Sequence, residues 1–181
     1  MILEQNDAEL FYSLWLPLLD FVNIKYNVNP NLKKIGVSEK LDPNEVKAIA
    51  DFVWSHTNVI DDYLGKTAVL TEEHRSIIAD LKRCRPGQYI LERNLKKGSV
   101  FIDAEAQSVY MVCGIYSSWA EMFGCRPLPV LMKAVLLPFR DKIITDGIVI
   151  PCNILFGRGY VSGFRDVYMD AKRSSSIRFS L

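Results

Sequence analysis

The sequence predicts an α+β protein, in which a helical N-terminal part packs on a small antiparallel β-barrel or curled sheet that is followed by a C-terminal helix. Up to residue 86, apolar residues recur at the three- and four-residue spacing of amphipathic helices. From Gln88 onward, several short β-prone runs follow one another closely, as in a small barrel or curled sheet. We therefore expect a helical part over residues 1–86 and a β-rich part over residues 87–181, which can be two parts of one compact domain.

The first predicted helix follows Asn6 or Asp7, since either side chain is suited to an N-cap. Its inward positions recur at helical spacing and are Leu10, Phe11, Leu14, Trp15, Leu18, Leu19 and Val22. Pro17 lies inside this run and removes a backbone donor. We therefore expect a kink near residues 13–16, or two helical pieces.

Two more long helices are predicted from capping residues, after a loop over residues 27–40. Asp42 precedes Pro43 and a first-turn Glu45, which together predict a helix start. The inner stripe of this helix is Val46, Ile49, Ala50, Val53 and Trp54. A short turn of helix is expected over residues 59–64, and Thr71 predicts a helix over residues 71–84 that the Pro86-Gly87 pair ends.

The β-rich part is predicted to contain short strands over residues 89–91, 100–102, 108–115, 130–137 and 142–151. The last two flank a polar connection at residues 139–141. Ser117 or Ser118 is expected to cap a short helix that ends at Gly124. After Gly159, apolar residues on one face predict a final helix that runs into Lys172 and Arg173. Its predicted inner face is Tyr160, Phe164, Val167, Tyr168 and Ala171.

Composition excludes several classes of protein. The chain has 22 basic and 21 acidic side chains. This nearly balanced total charge does not indicate a polyanionic partner or a membrane surface. Residues 1–83 carry 9 basic and 13 acidic groups, and residues 84–181 carry 13 and 8, so their net charges are −4 and +5. The four cysteines show no CxxC pair, and no run is long and apolar enough for a membrane span. We expect a cytoplasmic protein without membrane contact.

The sequence contains few candidate catalytic residues. His56 and His74 are the two histidines, and both fit the charged or terminal positions of a helix. Asp103, Asp141 and Asp146 would make a carboxylate-dependent metal hydrolase if they converged, although all three fit turns or bends better. We therefore assign no catalytic residue, no metal ligand and no cofactor.

A basic group of residues near the C-terminus is interleaved with aromatic residues. These residues are Arg158, Arg165, Lys172, Arg173 and Arg178. Cations and aromatic rings together are typical of surfaces that bind nucleic acid. The same spacing is also required of an ordinary amphipathic helix, and we favour that interpretation.

The stretch Leu137-Pro138-Phe139-Arg140-Asp141-Lys142-Ile143-Ile144-Thr145-Asp146-Gly147 resembles a segment of uncharacterised bacterial proteins. Its core reads L-P-F-x-x-K-I-I-x-D-G, and some of these proteins carry a SEC-C-type zinc tail. The resemblance covers the second half only and implies a bacterial, cytoplasmic protein of unassigned function. No metal is implied for this chain, because it ends at Leu181 without a cysteine-rich tail.

The favoured hypothesis is a non-catalytic interaction or regulatory module with a protein partner. The first alternative is a nucleic-acid-binding protein that uses the basic second half, and the second is the metal hydrolase. The oligomeric state does not follow from the sequence.

Overall fold

The computed structural model describes residues 1–36 and 42–181. They form two compact units, one of Glu4–Cys84 and one of Met1–Leu3 with Arg85–Leu181. The first unit is helical and the second contains a mixed six-stranded sheet, so the predicted α+β class is confirmed. Among the described helices, none has both the length and the apolar character that a membrane crossing requires.

The first unit contains four helices. They are α1 (Gln5–Tyr26), α2 (Pro43–Ser55), α3 (Val59–Lys66) and α4 (Glu72–Asp80). A 3-10 turn, Leu81–Arg83, follows α4, so the helix predicted over residues 71–84 ends earlier as an α-helix. The second unit contains β1 (Arg85–Leu95), β2 (Gly98–Asp103), β3 (Val109–Val112), α5 (Trp119–Phe123), β4 (Val130–Phe139), β5 (Lys142–Thr145), β6 (Ile150–Pro151) and α6 (Arg158–Arg173).

α1 is one helix that continues through Pro17, so of the two alternatives the division into two pieces is wrong, and the kink stays a prediction. It begins at Gln5, and Asn6 and Asp7 lie inside it rather than at its cap. The side chains buried on both sides of the proline are Leu14, Trp15, Leu18 and Leu19. Burial of each stabilises by about 1.5–3 kcal/mol, whereas a proline inside a helix costs about 3 kcal/mol. Packing of the shared face therefore keeps the helix continuous.

The predicted caps of α2 and α4 are confirmed. The Asp42 carboxylate accepts a hydrogen bond from the N–H of Asn44 at 2.8 Å, and Thr71 Oγ1 accepts one from the N–H of His74 at 3.2 Å. Of the loop predicted over residues 27–40, residues 27–36 contain a turn and no helix or strand, and residues 37–40 lie outside the described part of the chain.

Trp15 of α1 and Trp54 of α2 join these two helices, as their places on the apolar stripes predict. Their rings stack at a centroid distance of 4.7 Å and an interplanar angle of 12°. Both are buried, at 2% and 7% exposure. Arg75 of α4 adds polar links, because its guanidinium donates to the carbonyls of Leu64 and Thr67 at the end of α3. These carbonyls are among those that a helix end leaves unpaired.

The sheet pairs in the order β1-β2-β3-β5-β4-β6, and β1 also pairs with β4. All pairs are antiparallel except β3 with β5, which are parallel at Val112 and Ile143. The predicted antiparallel sheet is therefore a mixed one. The reason is the connection, because the stretch from Cys113 to the end of β4 is long enough to bring β5 back beside β3 in the same direction.

Alternation along the strands sends side chains to two separate clusters. The Trp119 cluster holds Tyr89, Leu91, Phe101, Tyr110, Val112, Trp119, Phe123, Val130, Met132, Ala134, Leu136 and Ile143. The α6 cluster holds Ile90, Val100, Ile102, Val109 and Met111 from the strands with Tyr168 and Ala171 from α6. Neighbouring strand residues belong to opposite faces, so α6 covers one face of β1, β2 and β3.

Two strand boundaries differ from the prediction. β1 begins at Arg85, so Pro86 lies in the strand rather than ending the helix before it. There β1 pairs with β4 alone, and a proline is tolerated where a strand lacks a second neighbour. The strand predicted over residues 142–151 is divided into β5 and β6, because Gly147 has a φ of 85° and the Asp146 carboxylate accepts from the N–H of Ile148 at 3.0 Å.

The short helix and its cap are as predicted. Ser118 begins α5 and forms a reciprocal capping box with Glu121, and Gly124 ends it with a φ of 52°. The C-terminal segment adds a backbone bridge between Arg178 and Tyr110 of β3 rather than a full edge strand.

Candidate functional site along the C-terminal helix

α6 begins at Arg158, two residues before the predicted start, with Gly157 at its N-cap. Tyr168 and Ala171 are its buried anchors, while Phe164 and Val167 are half-buried against the same cluster. The remaining positions of the helix are exposed and carry basic, acidic and apolar side chains. The helix therefore presents a solvent face that the sheet does not use.

Three of the five predicted nucleic-acid contacts lie on this solvent face. Arg158, Arg165 and Lys172 are seven residues apart, which is close to two helical turns, and all three are exposed. We call them the basic stripe. Arg173 is also exposed and forms an ion pair with Asp170. Arg178 lies beyond the helix, with its guanidinium 5.6 Å from the ring centre of Tyr110.

An apolar groove of about 630 Å³ lies between the N-terminal half of α6 and the sheet. Ile90 and Leu131 line it from the strands, and Gly159 and Gly163 line it from the helix. Three aromatic rings complete the wall: Phe156, Tyr160 and Phe164. Phe156 meets Phe164 edge to face at 5.0 Å, and Tyr160 lies 6.3 Å from Phe164.

Tyr160 differs from the expectation that its helix face is buried. It is 68% exposed, although it shares helical spacing with buried Tyr168 and Ala171. Large apolar side chains that remain in water next to a groove are typical of a binding surface.

A second cavity, of about 470 Å³, lies at the C-terminal end of α6. Its cations are Lys96 and Lys97 of the β1–β2 turn and Lys172 of α6, and its apolar wall includes Phe179. We call this cavity the basic pocket. Arg93 lies close by, 4.4 Å above the ring of Tyr168, where its hydrogen bonds to Glu92 raise the pKa of the guanidinium.

The three aspartates of the hydrolase alternative serve three separate turns. Asp103 accepts from the N–H groups of Glu105 and Ala106, each at 2.9 Å, and Asp146 accepts from Ile148. The side chain of Asp141 is 82% exposed in the β4–β5 turn and lies 3.4 Å from the Lys142 ammonium. Within residues 1–36 and 42–181, no group of three or more potential ligands is placed to hold a metal ion.

Both histidines occupy helix ends in the first unit. The ring of His56 stacks on the ring of Phe52 at a centroid distance of 4.5 Å, and His56 Nδ1 lies 3.1 Å from the carbonyl oxygen of Phe52. His74 lies in the first turn of α4, after the Thr71 cap. His56 therefore follows the last turn of α2, and His74 lies near the start of α4.

The two cavities were not predicted from the sequence. Lys96, Lys97 and Gly163 are not among the residues that the sequence singles out. A signal for the groove exists in the Gly159 to Gly163 spacing, because two small residues four apart leave room on one side of a helix. A signal for the basic pocket does not, because its cations come from segments distant in sequence.

Comparisons of the chain with family models, curated proteins and solved structures return no match.

Proposed function

We propose that this chain is a non-catalytic interaction module whose second unit binds an acidic segment of a partner protein through an apolar anchor in the groove of α6. The observation that carries the proposal is the groove itself, with exposed Tyr160 at its rim. Aromatic side chains supply rigid contact area at a small cost in entropy, and they are enriched in protein interfaces.

The two glycines of α6 support this proposal. A Cβ built on Gly159 or Gly163 meets no atom within 4 Å, so close packing does not require either residue to be glycine. A glycine in a helix interior is nonetheless less favourable than alanine by about 0.8–1.0 kcal/mol. Because Gly159 and Gly163 have no side chains, the groove is open above them. A side chain of a partner can enter this space and contact Ile90 and Leu131.

The charge of the second unit supports an acidic partner. This unit contains 13 basic and 8 acidic side chains, for a net charge of +5, and Arg158 stands exposed at the start of α6. Such a field attracts acidic segments and increases their association rate. The expected ligand is therefore a segment with a leucine or aromatic anchor flanked by aspartate or glutamate.

Selection from phage-displayed random peptides tests the proposal. Selected peptides are expected to be enriched in acidic residues around one large apolar residue. Gly163→Leu should abolish their binding, because the new side chain enters the groove, and Tyr160→Ala should weaken it. Gly65→Leu is the matched control, since Gly65 also lies in a helix with no atom within 4 Å of its Cβ, but in the other unit.

Circular dichroism of each variant separates lost binding from lost folding. Selected peptides without acidic enrichment, or peptides that bind the Gly163→Leu protein as well as the unchanged protein, would refute the proposal.

We further propose that β1 to β5 form a small closed barrel around the Trp119 cluster. The pairings β1–β2, β2–β3, β3–β5, β5–β4 and β4–β1 return to the first strand, and side chains from all five strands meet in that cluster. The OB fold is also a barrel of five strands. Fold analogy alone does not assign a function.

A second candidate function, nucleic-acid binding, is favoured by the basic stripe of Arg158, Arg165 and Lys172. Three exposed cations in one line along a helix can follow a phosphate backbone. The logarithm of affinity for labelled oligonucleotides should then fall linearly with the logarithm of salt concentration, and Arg165→Gln should reduce that slope by about 1. Equal slopes for the variant and the unchanged protein would remove this candidate.

For either function, we propose a cytoplasmic location.

A further inference from the structure

The basic pocket lies at the opposite end of α6 from the peptide groove. We propose that it binds a nucleotide, with the phosphate held by Lys96, Lys97 and Lys172 and the base stacked on Phe179. The inference is independent of the peptide groove, and it deepens the nucleic-acid candidate by naming a site for one nucleotide.

Three segments of the second unit supply the polar groups and the aromatic ring of the pocket. The β1–β2 turn supplies Lys96 and Lys97, the end of α6 supplies Lys172, and the segment after the helix supplies Ser175 and Phe179. Met111 of β3 and Ile177 add apolar wall. A volume of about 470 Å³ falls in the usual range of small-molecule pockets, roughly 300–1,000 Å³.

The three lysines favour an anion. Within the described residues, none of them forms an ion pair with a carboxylate. Like charges that share one cavity repel each other, and a bound phosphate removes this repulsion while accepting charge-assisted hydrogen bonds. Lysine is a common phosphate ligand because its ammonium acts as a point charge.

Two nearby features oppose an anion, and both are already neutralised. The C-terminal end of α6 carries partial negative charge, but Ser174 donates to the carbonyl of Asp170 and Ser176 to that of Ala171. The Asp170 carboxylate is itself paired with Arg173. The residues that line the pocket include these three lysines and no carboxylate.

The apolar wall favours a nucleotide over inorganic phosphate. Phe179 lies on the pocket wall and is 53% exposed, so one part of its surface is available for stacking. Base stacking on an aromatic side chain tolerates every base. Ser175 also lines the pocket. Its φ is 54°, in the left-handed region where a helix end often has glycine. Serine at this position adds a hydroxyl group to the lining of the pocket.

Fluorescence anisotropy tests the inference with two probes: a labelled ADP and a labelled oligo-dT. Lys97→Gln and Lys172→Gln are each expected to lower the affinity for labelled ADP about tenfold. Phe179→Ala should lower it by about 5-fold to 150-fold. Lys133→Gln is the matched control, because Lys133 is an exposed lysine of β4 outside the pocket, and it should change nothing.

The two probes distinguish the sources of the nucleotide. Competition between ADP and oligo-dT, with both weakened by Lys97→Gln, supports the pocket as a site for one residue of a strand. Binding of ADP alone supports a free nucleotide and removes the nucleic-acid candidate, although the pocket remains. Absence of ADP binding up to the millimolar range overturns the inference. So does an affinity for ADP in the Phe179→Ala and Lys97→Gln proteins that equals the affinity of the unchanged protein. Gly163→Leu should not affect ADP binding, so failure of the peptide groove is recognised separately.

Discussion

Replacing Gly163 by alanine is expected to stabilise the second unit. Gly163 lies in the middle of α6, and a Cβ added there meets no atom within 4 Å. Alanine therefore adds no clash, restricts the unfolded chain and removes the helix-interior penalty of glycine. The expected gain is about 0.5–1 kcal/mol, which corresponds to a rise in Tm of about 2–8 °C for a unit of this size.

Differential scanning calorimetry is the appropriate assay, because the two units can melt in separate transitions. Gly114→Ala is the contrasting variant. Its Cβ would lie 2.0 Å from the carbonyl oxygen of Ser117, so the backbone must shift and stability should fall. Both changes restrict the unfolded chain in the same way. Stability changes of opposite sign would therefore reflect the difference in space around the two glycines in the folded protein.

A loss of stability in Gly163→Ala would refute the reasoning. It would mean that the space above the helix is filled, and the groove would then no longer support the proposed peptide site.

Trp15→Ala is expected to cost about 3–5 kcal/mol in urea unfolding followed by circular dichroism, because the ring is 2% exposed and stacks on Trp54. A double-mutant cycle with Trp54→Ala should show a coupling of about 0.5–1.5 kcal/mol, and a near-neutral single change would place Trp15 at the surface. Ser118→Ala should cost about 1 kcal/mol through loss of the α5 cap. Hydrogen bonds from Ser118 lower the pKa of Glu121 in the folded chain, so its contribution is complete above the ordinary glutamate pKa and is lost as pH falls through the lowered value. Melting across acidic pH should show that loss in the unchanged protein but not in Glu121→Gln.

Local signals in the sequence predicted local structure well. Asp42, Thr71 and Ser118 each begin the helix that their side chains indicate, because a cap depends on a hydrogen bond to a residue two or three positions away. The inward stripes of α1 and α2 were also predictable, and the Trp15–Trp54 stack follows from them.

Features that depend on distant residues were not predictable in the same way. Whether Pro86 ends a helix or lies in a strand is decided by β4, which is more than forty residues away in the sequence. Tyr160 has the spacing of a buried residue, but it is exposed because the groove separates that part of α6 from the sheet. The basic pocket requires Lys97 and Lys172 to meet, and no periodicity relates the β1–β2 turn to the end of α6.

The packing of α6 determines which variants can test either proposed site. Tyr168 and Ala171 hold the helix against β1, β2 and β3, so truncating Tyr168 would disturb the groove and the basic pocket together. Such a variant would lose both activities for a reason unrelated to either ligand. Gly163 and Lys97 differ in this respect, because each belongs to one cavity and neither is an anchor of the α6 cluster. Independent loss of peptide binding in Gly163→Leu and of ADP binding in Lys97→Gln would therefore show two separate sites on one helix, whereas joint loss in either variant would show that α6 moves as a whole.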